Sequence, residues 1–321
     1  MPRVSIVLCT YNGEKYLARQ LDSILQQTCP LHEILVQDDG STDRTCEIVE
    51  QYREKYPLIR LVRNPENLGF NRNFLDAISK ATGDWIALSD QDDIWEPDKI
   101  ASLLETVRAT GKAVCFSRSR AFSDETGPVD FFDPRTPNYT IERLYLANIA
   151  PGHTMLIEKD FSRLLTWESF GQVDRWYYDE FIAATAAAYD QLAFCDKYLV
   201  SYRRHPGQIT AAQATAQINV KPLRYVAQSV GLYFRKKKEM TAWFAQKHRF
   251  LAGIPADHPH LENARKLTLL SSRRDPASFL RLLRLCVKTR NYIYYTAEVS
   301  PVALFFRSLF YPFYCANYFR D

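Results

Sequence analysis

Residues 4 to 88 alternate short apolar runs with polar turns and amphipathic segments. Val4 to Cys9 is a continuous apolar run rich in β-branched residues, as expected of a parallel strand buried on both faces. Thr10-Tyr11-Asn12-Gly13 ends it, and Glu14 to Gln27 then places Leu17, Leu21, Ile24 and Leu25 on one helical face. Ile34-Leu35-Val36 reads as a second strand, followed by the turn and helix start Asp38 to Asp43, with Ile48, Val49 and Tyr52 carrying the helix. Ile59 to Val62 is a third strand, Asn64 to Asn73 a polar loop, Phe74 to Lys80 a helix and Trp85 to Leu88 a fourth strand. This alternation predicts an α/β fold, a doubly wound and mostly parallel sheet flanked by helices.

In such a sheet, ligands bind in the crevice at the carboxyl ends of the strands. Those ends are Thr10-Tyr11-Asn12, Asp38-Asp39 and Asp90-Gln91-Asp92-Asp93, so three polar clusters converge. Adjacent carboxylates stay ionised only if a cation or hydrogen-bond donors offset their repulsion. A hard divalent ion, Mg²⁺ or Mn²⁺, suits them, because it is usually held by one or two carboxylates with substrate phosphates filling other positions. Taken alone, the acidic run also fits a turn that caps a helix near Pro97. No Gly-x-Gly-x-x-Gly follows the first strand and no Gly-x-x-x-x-Gly-Lys occurs, so a metal rather than a glycine cradle is expected to receive phosphate.

The net charge of +4 over 321 residues conceals an asymmetry. Residues 1–220 carry 23 Lys+Arg against 31 Asp+Glu, and residues 221–321 carry 18 against 6. The expected organisation follows this division: a catalytic domain over 1–220 and a helical, basic and aromatic extension over 221–321. In the extension, Phe279, Leu282, Leu283 and Leu285 interleave with Arg281, Arg284, Lys288 and Arg290, and the end from Phe305 to Phe319 is heavily aromatic. Basic and aromatic residues together suit an anionic membrane surface. Pro301, Pro312 and several tyrosines argue against a lipid-embedded helix, so the segment is expected to lie on the bilayer. The alternative is that these aromatics cover the catalytic domain or a homodimer interface. Nucleic acid is not expected among the partners. Seven scattered cysteines form no zinc spacing and read as free thiols, and the N-terminus offers no signal-peptide apolar region. A cytoplasmic protein, peripheral on the inner face of the cell membrane, is expected.

Together these motifs resemble family 2 glycosyltransferases of the GT-A fold. Val4 to Gly13 is similar to that family's first strand and nucleotide loop, Asp38 to Asp43 to its second motif, and Asp90-Gln91-Asp92 to its metal-binding D-x-D, the likeness covering residues 3–210 or so. Asn67 to Phe74, including Asn67 and Asn73, and Asp90 to Lys99 look most like bacterial rhamnosyltransferases of surface-polysaccharide assembly. That likeness implies dTDP-L-rhamnose as donor and a polysaccharide or lipid-linked glycan as acceptor. It also implies that Thr10, Tyr11, Asn12 and Glu14 line the nucleotide pocket, with Asp38 or Asp39 accepting from the pyrimidine N–H. Asp90 would lie near the ribose, with Asp92 or Asp90 on the metal and Asp93 in support, and Gln91 is placed with the donor-binding residues. Gly152 and His153 resemble the glycine-containing loop beside the acceptor, with His153 where Cys is common, and Trp95, Trp176 and Glu180 are placed on the same side. Asp179 matches the acid that serves as catalytic base at a helix start; an inverting transfer independently needs such a carboxylate to take the acceptor's proton. Val200 to Pro206 resembles the Tyr-Arg-x-His element, which implies that His205 reaches the metal, as a ligand, or the diphosphate, and that its arginines offset leaving-group charge.

Two other readings fit parts of the sequence. A phosphatase of haloacid-dehalogenase type also carries acids at a strand end, but it needs Asp-x-Asp where Gln37-Asp38-Asp39 stands. A catalytically silent nucleotide-sugar-binding scaffold would bind donor without turnover.

Overall fold

The computed structural model describes residues 2–124, 127–128, 136–205, 222–294 and 300–319. Its first half runs β1 (Val4–Thr10), α1 (Leu17–Leu25), β2 (Glu33–Asp38), α2 (Thr45–Lys55), β3 (Ile59–Arg63), α3 (Phe70–Lys80) and β4 (Trp85–Ser89). β3, β2, β1 and β4 lie side by side, all parallel. Side chains of β1 alternate between two cores, as the two-residue period of a strand requires. Val4, Ile6 and Leu8 meet α1, whereas Val7 and Cys9 meet α3.

The parallel order breaks after β4. β5 (Ile94–Trp95), α4 (Lys99–Thr110), β6 (Val114–Ser123) and β7 (Gly127–Pro128) lead through the short α5 (Ile141–Leu144) to β8 (Met155–Glu158). α6 (Lys159–Ser162), α7 (Trp167–Phe170), α8 (Tyr178–Ala188) and β9 (Leu192–Arg203) follow. β8 is antiparallel to both β4 and β6, β9 is parallel to β6, and β5 closes the path antiparallel to β9. The nine-stranded sheet is therefore parallel on its N-terminal side and mixed beyond it.

The tail forms α9 (Pro222–Gly253), α10 (Pro259–Ser271), α11 (Pro276–Lys288), α12 (Arg290–Ile293), α13 (Pro301–Tyr314) and a closing 3₁₀ turn, Cys315–Phe319. The expected boundary at 220/221 lies outside the described residues. Phe244, Leu251, Leu261, Tyr311 and Phe319 of the tail are buried in the same apolar core as Val7, Phe74 and Phe181. Each such side chain contributes about 1.5–3 kcal/mol by leaving water, so the tail is part of the core that holds the sheet. Several of its aromatics thus cover the catalytic unit, as in the alternative reading, while others stay exposed. Among the described residues no helix is long and apolar enough to cross a membrane.

Candidate active site

The carboxyl ends of β1, β2 and β4 meet at a lattice of side chains that grip backbone. Gln91 bridges to the residue after β1, its Oε1 accepting from Tyr11 N at 2.9 Å and its Nε2 donating to Tyr11 O at 3.0 Å. This closeness demands Gly13, because a Cβ there would fall 2.2 Å from Gln91 Oε1. Asn12 takes a left-handed φ of 48° and its Oδ1 accepts from Thr42 N at 2.9 Å. Glu14 accepts from Arg44 N at 3.0 Å, which ties the loop to the start of α2. Tyr11 remains exposed.

Asp38 and Asp39 are both buried, and both are engaged. Asp38 accepts from the Thr10 hydroxyl at 2.9 Å, from the Ser41 amide at 2.9 Å, and from the Ser41 hydroxyl. Asp39 accepts from Asn64 Nδ2 (2.8 Å), Leu68 N (2.8 Å) and Gly69 N (2.9 Å). A carboxylate offers about four acceptor sites, so three hydrogen bonds leave about one open on Asp38 and on Asp39 alike. Asn67 donates to Asp39 O at 3.0 Å, and Asn73 is buried, accepting from Asn64 and donating to Gln37 O. Those two asparagines shape the loop around Asp39.

After β4 the acids divide into two layers. Asp92 Oδ2 lies 2.8 Å from His205 Nε2, and both side chains, like that of Asp90, are partly exposed. Beneath them Asp93 is fully buried, with Oδ1 accepting from Arg203 N at 3.0 Å and Oδ2 unpartnered. His153 is also buried, stacked on Tyr202 at 4.9 Å, with Nδ1 3.4 Å from Asp90 and 3.8 Å from Asp93. Lys99 completes the lower layer, donating to His153 O at 2.7 Å with its ammonium 3.2 Å from the centre of the Trp95 ring. Burial pushes the Asp93 carboxyl up to about 7 and raises Asp92, which Asp90 repels in addition. The same burial lowers Lys99.

Asp90, Asp93 and His153 each offer a ligand atom within 4.8 Å of one another. A cation that must also take phosphate oxygens needs open positions, which favours the partly exposed set of Asp92, His205 and Asp90. Of that set, Asp92 Oδ2 and His205 Nε2 lie close enough to share one ion above the buried Asp93 carboxyl, whereas the three ligand atoms that lie together are those of Asp90, Asp93 and His153. Arg203 does not face the crevice. It is buried between the Tyr16 and Phe122 rings, donating to Asp92 O and pairing with Asp124. Arg204 is half-buried, its guanidinium 5.6 Å from the Tyr202 ring.

Across the crevice, Asp179 sits in the first turn of α8. Its oxygens accept from Glu180 N at 2.8 Å and Gly152 N at 3.2 Å. Burial nevertheless raises the carboxyl to about 6, the two hydrogen bonds opposing the shift. Gly152 is tightly constrained, because a Cβ would lie 2.1 Å from the Tyr178 hydroxyl and Tyr178 is stacked on Phe74 at 4.0 Å. Gly152→Ala is therefore expected to cost about 1–3 kcal/mol and to displace the amide that holds Asp179. Thermal midpoint and turnover should fall together; an unchanged midpoint would show that the loop adapts.

Glu180 and Trp176 point away from the crevice into the tail. Lys247 of α9 is buried, with Nζ 3.0 Å from Glu180 Oε1; it also donates to Tyr145 O and lies 3.8 Å from the centre of the Trp243 ring. Trp176 packs on Phe250 at 5.0 Å. Trp243 Nε1 donates to Asp174 O at 3.0 Å, so α9 clamps the turn that leads into Asp179. Lys247→Met should leave a buried unpaired carboxylate and cost about 3–5 kcal/mol, partly recovered by adding Glu180→Gln. A thermal midpoint within the range of ordinary surface substitutions would show the pair to be solvated. The hydrogen-bonded support from Ser41, Asn64, Lys99 and Lys247 was not singled out in the sequence, since each contact joins distant segments.

A model of glycosyl transferase family 2 matches residues 5–164. The chain belongs to glycosyltransferase family 2. The match of this family 2 chain to the first curated relatives, uncharacterized mycobacterial proteins 27% identical over 208 residues, spans 59% of their length. The dTDP-rhamnosyl transferase RfbG of Shigella flexneri is 28% identical over 240 residues, covering 72% of this chain and 81% of that one. A structure of S. aureus TarS 1-349 with UDP-GlcNAc superposes over 99% of this chain and 92% of that one, with a TM-score of 0.57 at 15% identity. A mannosyltransferase of Pyrobaculum calidifontis, in complex with GDP-Man and Mn²⁺, covers 99% and 86% with a TM-score of 0.51 at 20% identity. At these identities the likeness to solved structures establishes the GT-A fold.

Proposed function

We propose that this family 2 chain transfers a sugar, L-rhamnose from dTDP-L-rhamnose, to a hydroxyl of a polysaccharide or lipid-linked glycan in the cytoplasm, with inversion at the anomeric carbon. The observation that carries the reading is the carboxyl of Asp179, held at the start of α8 by the amides of Gly152 and Glu180 and close enough to Asp90 to feel its charge. The Shigella relative supports the donor. Asp38 or Asp39 accepts from the pyrimidine ring N–H, each with about one acceptor site open, and exposed Tyr11 is free to cover the base.

Asp179 accepts the proton of the acceptor hydroxyl as that oxygen bonds to the anomeric carbon. The bond from that carbon to the diphosphate oxygen breaks on the opposite face, and the nucleoside diphosphate leaves with the electron pair. Mg²⁺ or Mn²⁺, when bound, would offset the charge on the diphosphate. Asp92 and His205 would hold it with Asp90 alongside, and Asp93, His153 and Lys99 would fix these ligands from below.

Incubation with dTDP-, UDP- and GDP-sugars and either metal, measuring nucleoside diphosphate release, tests the reading. Release from dTDP-L-rhamnose above the other donors is expected. Tight donor binding without release, across a panel of glycan acceptors, would instead favour the silent scaffold.

A further inference from the structure

The tail is packed on one side and open on the other. Along α13, Leu304, Ser308, Tyr311 and Pro312 are buried. Val302, Phe305, Phe306, Leu309, Phe310 and Phe313 recur at the three- and four-residue spacing of one helical face and occupy the other side. Val302 is 67% and Phe306 64% exposed. The neighbouring helices add to this surface. Phe279 of α11 and Phe313 of α13 approach to 5.9 Å, each near Tyr233 of α9, and beside this cluster Leu280 and Phe234 are 58% and 66% exposed. An exposed apolar surface drawn from three helices, rimmed by charged residues, marks a membrane or protein interaction site.

Its border is basic. Arg235 and Lys238 flank Phe234, Arg281 and Arg284 follow Leu280, and Arg307 follows Phe306, all exposed. Neither 276–294 nor 300–319 contains an Asp or Glu; Glu239 of α9 lies 3.4 Å from Lys236 and 3.9 Å from Arg175.

We propose that this face docks on an anionic lipid bilayer, with the aromatic ridge of α13 in the interface and the bordering Arg and Lys among the headgroup phosphates. Charge selects this partner. A second copy of the chain would bring the same basic border against itself in a two-fold contact, whereas an anionic surface complements it. The acidic balance of residues 1–220 turns the remaining surface away from the same lipids, which orients the docked protein. This inference is independent of the sugar transferred.

Sedimentation of the full chain with vesicles decides it, since removing the tail would also remove core. Protein should pellet with vesicles containing phosphatidylglycerol, stay largely in solution with phosphatidylcholine alone, and be released by raised salt. Combining Val302→Ser, Phe305→Ser and Phe306→Ser should lower the bound-to-free ratio by about tenfold or more without lowering the thermal midpoint. Arg281→Glu with Arg284→Glu should weaken binding on the anionic vesicles alone. Full chain that stays in solution at low salt, or folded variants that pellet as the parent does, would overturn the proposal. So would a dimer in sedimentation velocity that the α13 variant abolishes.

Discussion

Asp179→Asn is expected to lower turnover by about 10²–10⁴-fold while leaving donor affinity nearly unchanged, because a general base acts only as the acceptor oxygen attacks. The amide keeps the shape of the carboxyl but has a single acceptor oxygen, so it can accept from Glu180 N or Gly152 N and not from both; a thermal midpoint and donor affinity close to the parent's show that the helix start holds. The pH dependence has a definite sign. With the carboxyl raised to about 6, the ionised fraction falls tenfold per pH unit below that value, so kcat/KM should decline on the acid side with unit slope. Asp93, raised to about 7, is a competing titrating group. Measuring the profile for parent and Asp179→Asn separates them: an acid limb that persists in the residual activity belongs to the cluster of Asp92, Asp93 and His153, all raised, and not to Asp179. Near-normal turnover in the variant would remove Asp179 as the base.

The strands were legible because local chemistry determines them. A β-branched apolar run has to be buried, and β1, β2 and β4 fall where apolar runs occur, each ending in polar residues; β3, at the sheet edge with Arg60 inside it, is only partly buried. α3 is less local. It begins at Phe70 rather than Phe74, because Gly69 turns the chain at a φ of +78° and Asp39 takes the amides of Leu68 and Gly69 from across the crevice. The candidate base is readable through its motif, while its support by the Gly152 amide is not, because that contact joins segments 27 residues apart. His153 was expected on the acceptor side, yet its ring lies buried beside Asp90 and Asp93; nothing near it in sequence specifies those partners. The order of β8, β6 and β9 was hidden for the same reason, since Val114–Phe116 pairs with Met155–Ile157 on one side and with a strand that starts at Leu192 on the other. The tail's sequence resembles a membrane-surface segment and a core element equally well, because aromatics serve both; the structure divides them residue by residue, Tyr311 and Phe319 inward, Phe305 and Phe306 outward.

Removing divalent metal is expected to weaken dTDP binding and to lower turnover on the order of a hundredfold or more, matching the several kcal/mol that a metal supplies to phosphoryl charge. The upper layer of acids explains why the donor should need it. Asp90 and Asp92 repel each other and would repel a diphosphate, while the positive groups nearby are already committed: Lys99 to His153 O, Arg203 to Asp92 O and Asp124. Asp92→Asn should therefore reproduce in metal-containing buffer what chelation does to the parent protein. Chelation should then have little further effect on the variant, because both changes remove the same interaction. Stability should move the other way. Burial and Asp90 already disfavour the Asp92 carboxylate, so the neutral amide is expected to leave the metal-free thermal midpoint unchanged or slightly raised. Calorimetry with dTDP, on parent and variant with and without chelator, checks the cycle. Equal affinity of the parent in metal and in chelator would exclude a metal from donor binding, and strictly additive losses would place the ion away from Asp92, with the buried set of Asp93 and His153 the next to test.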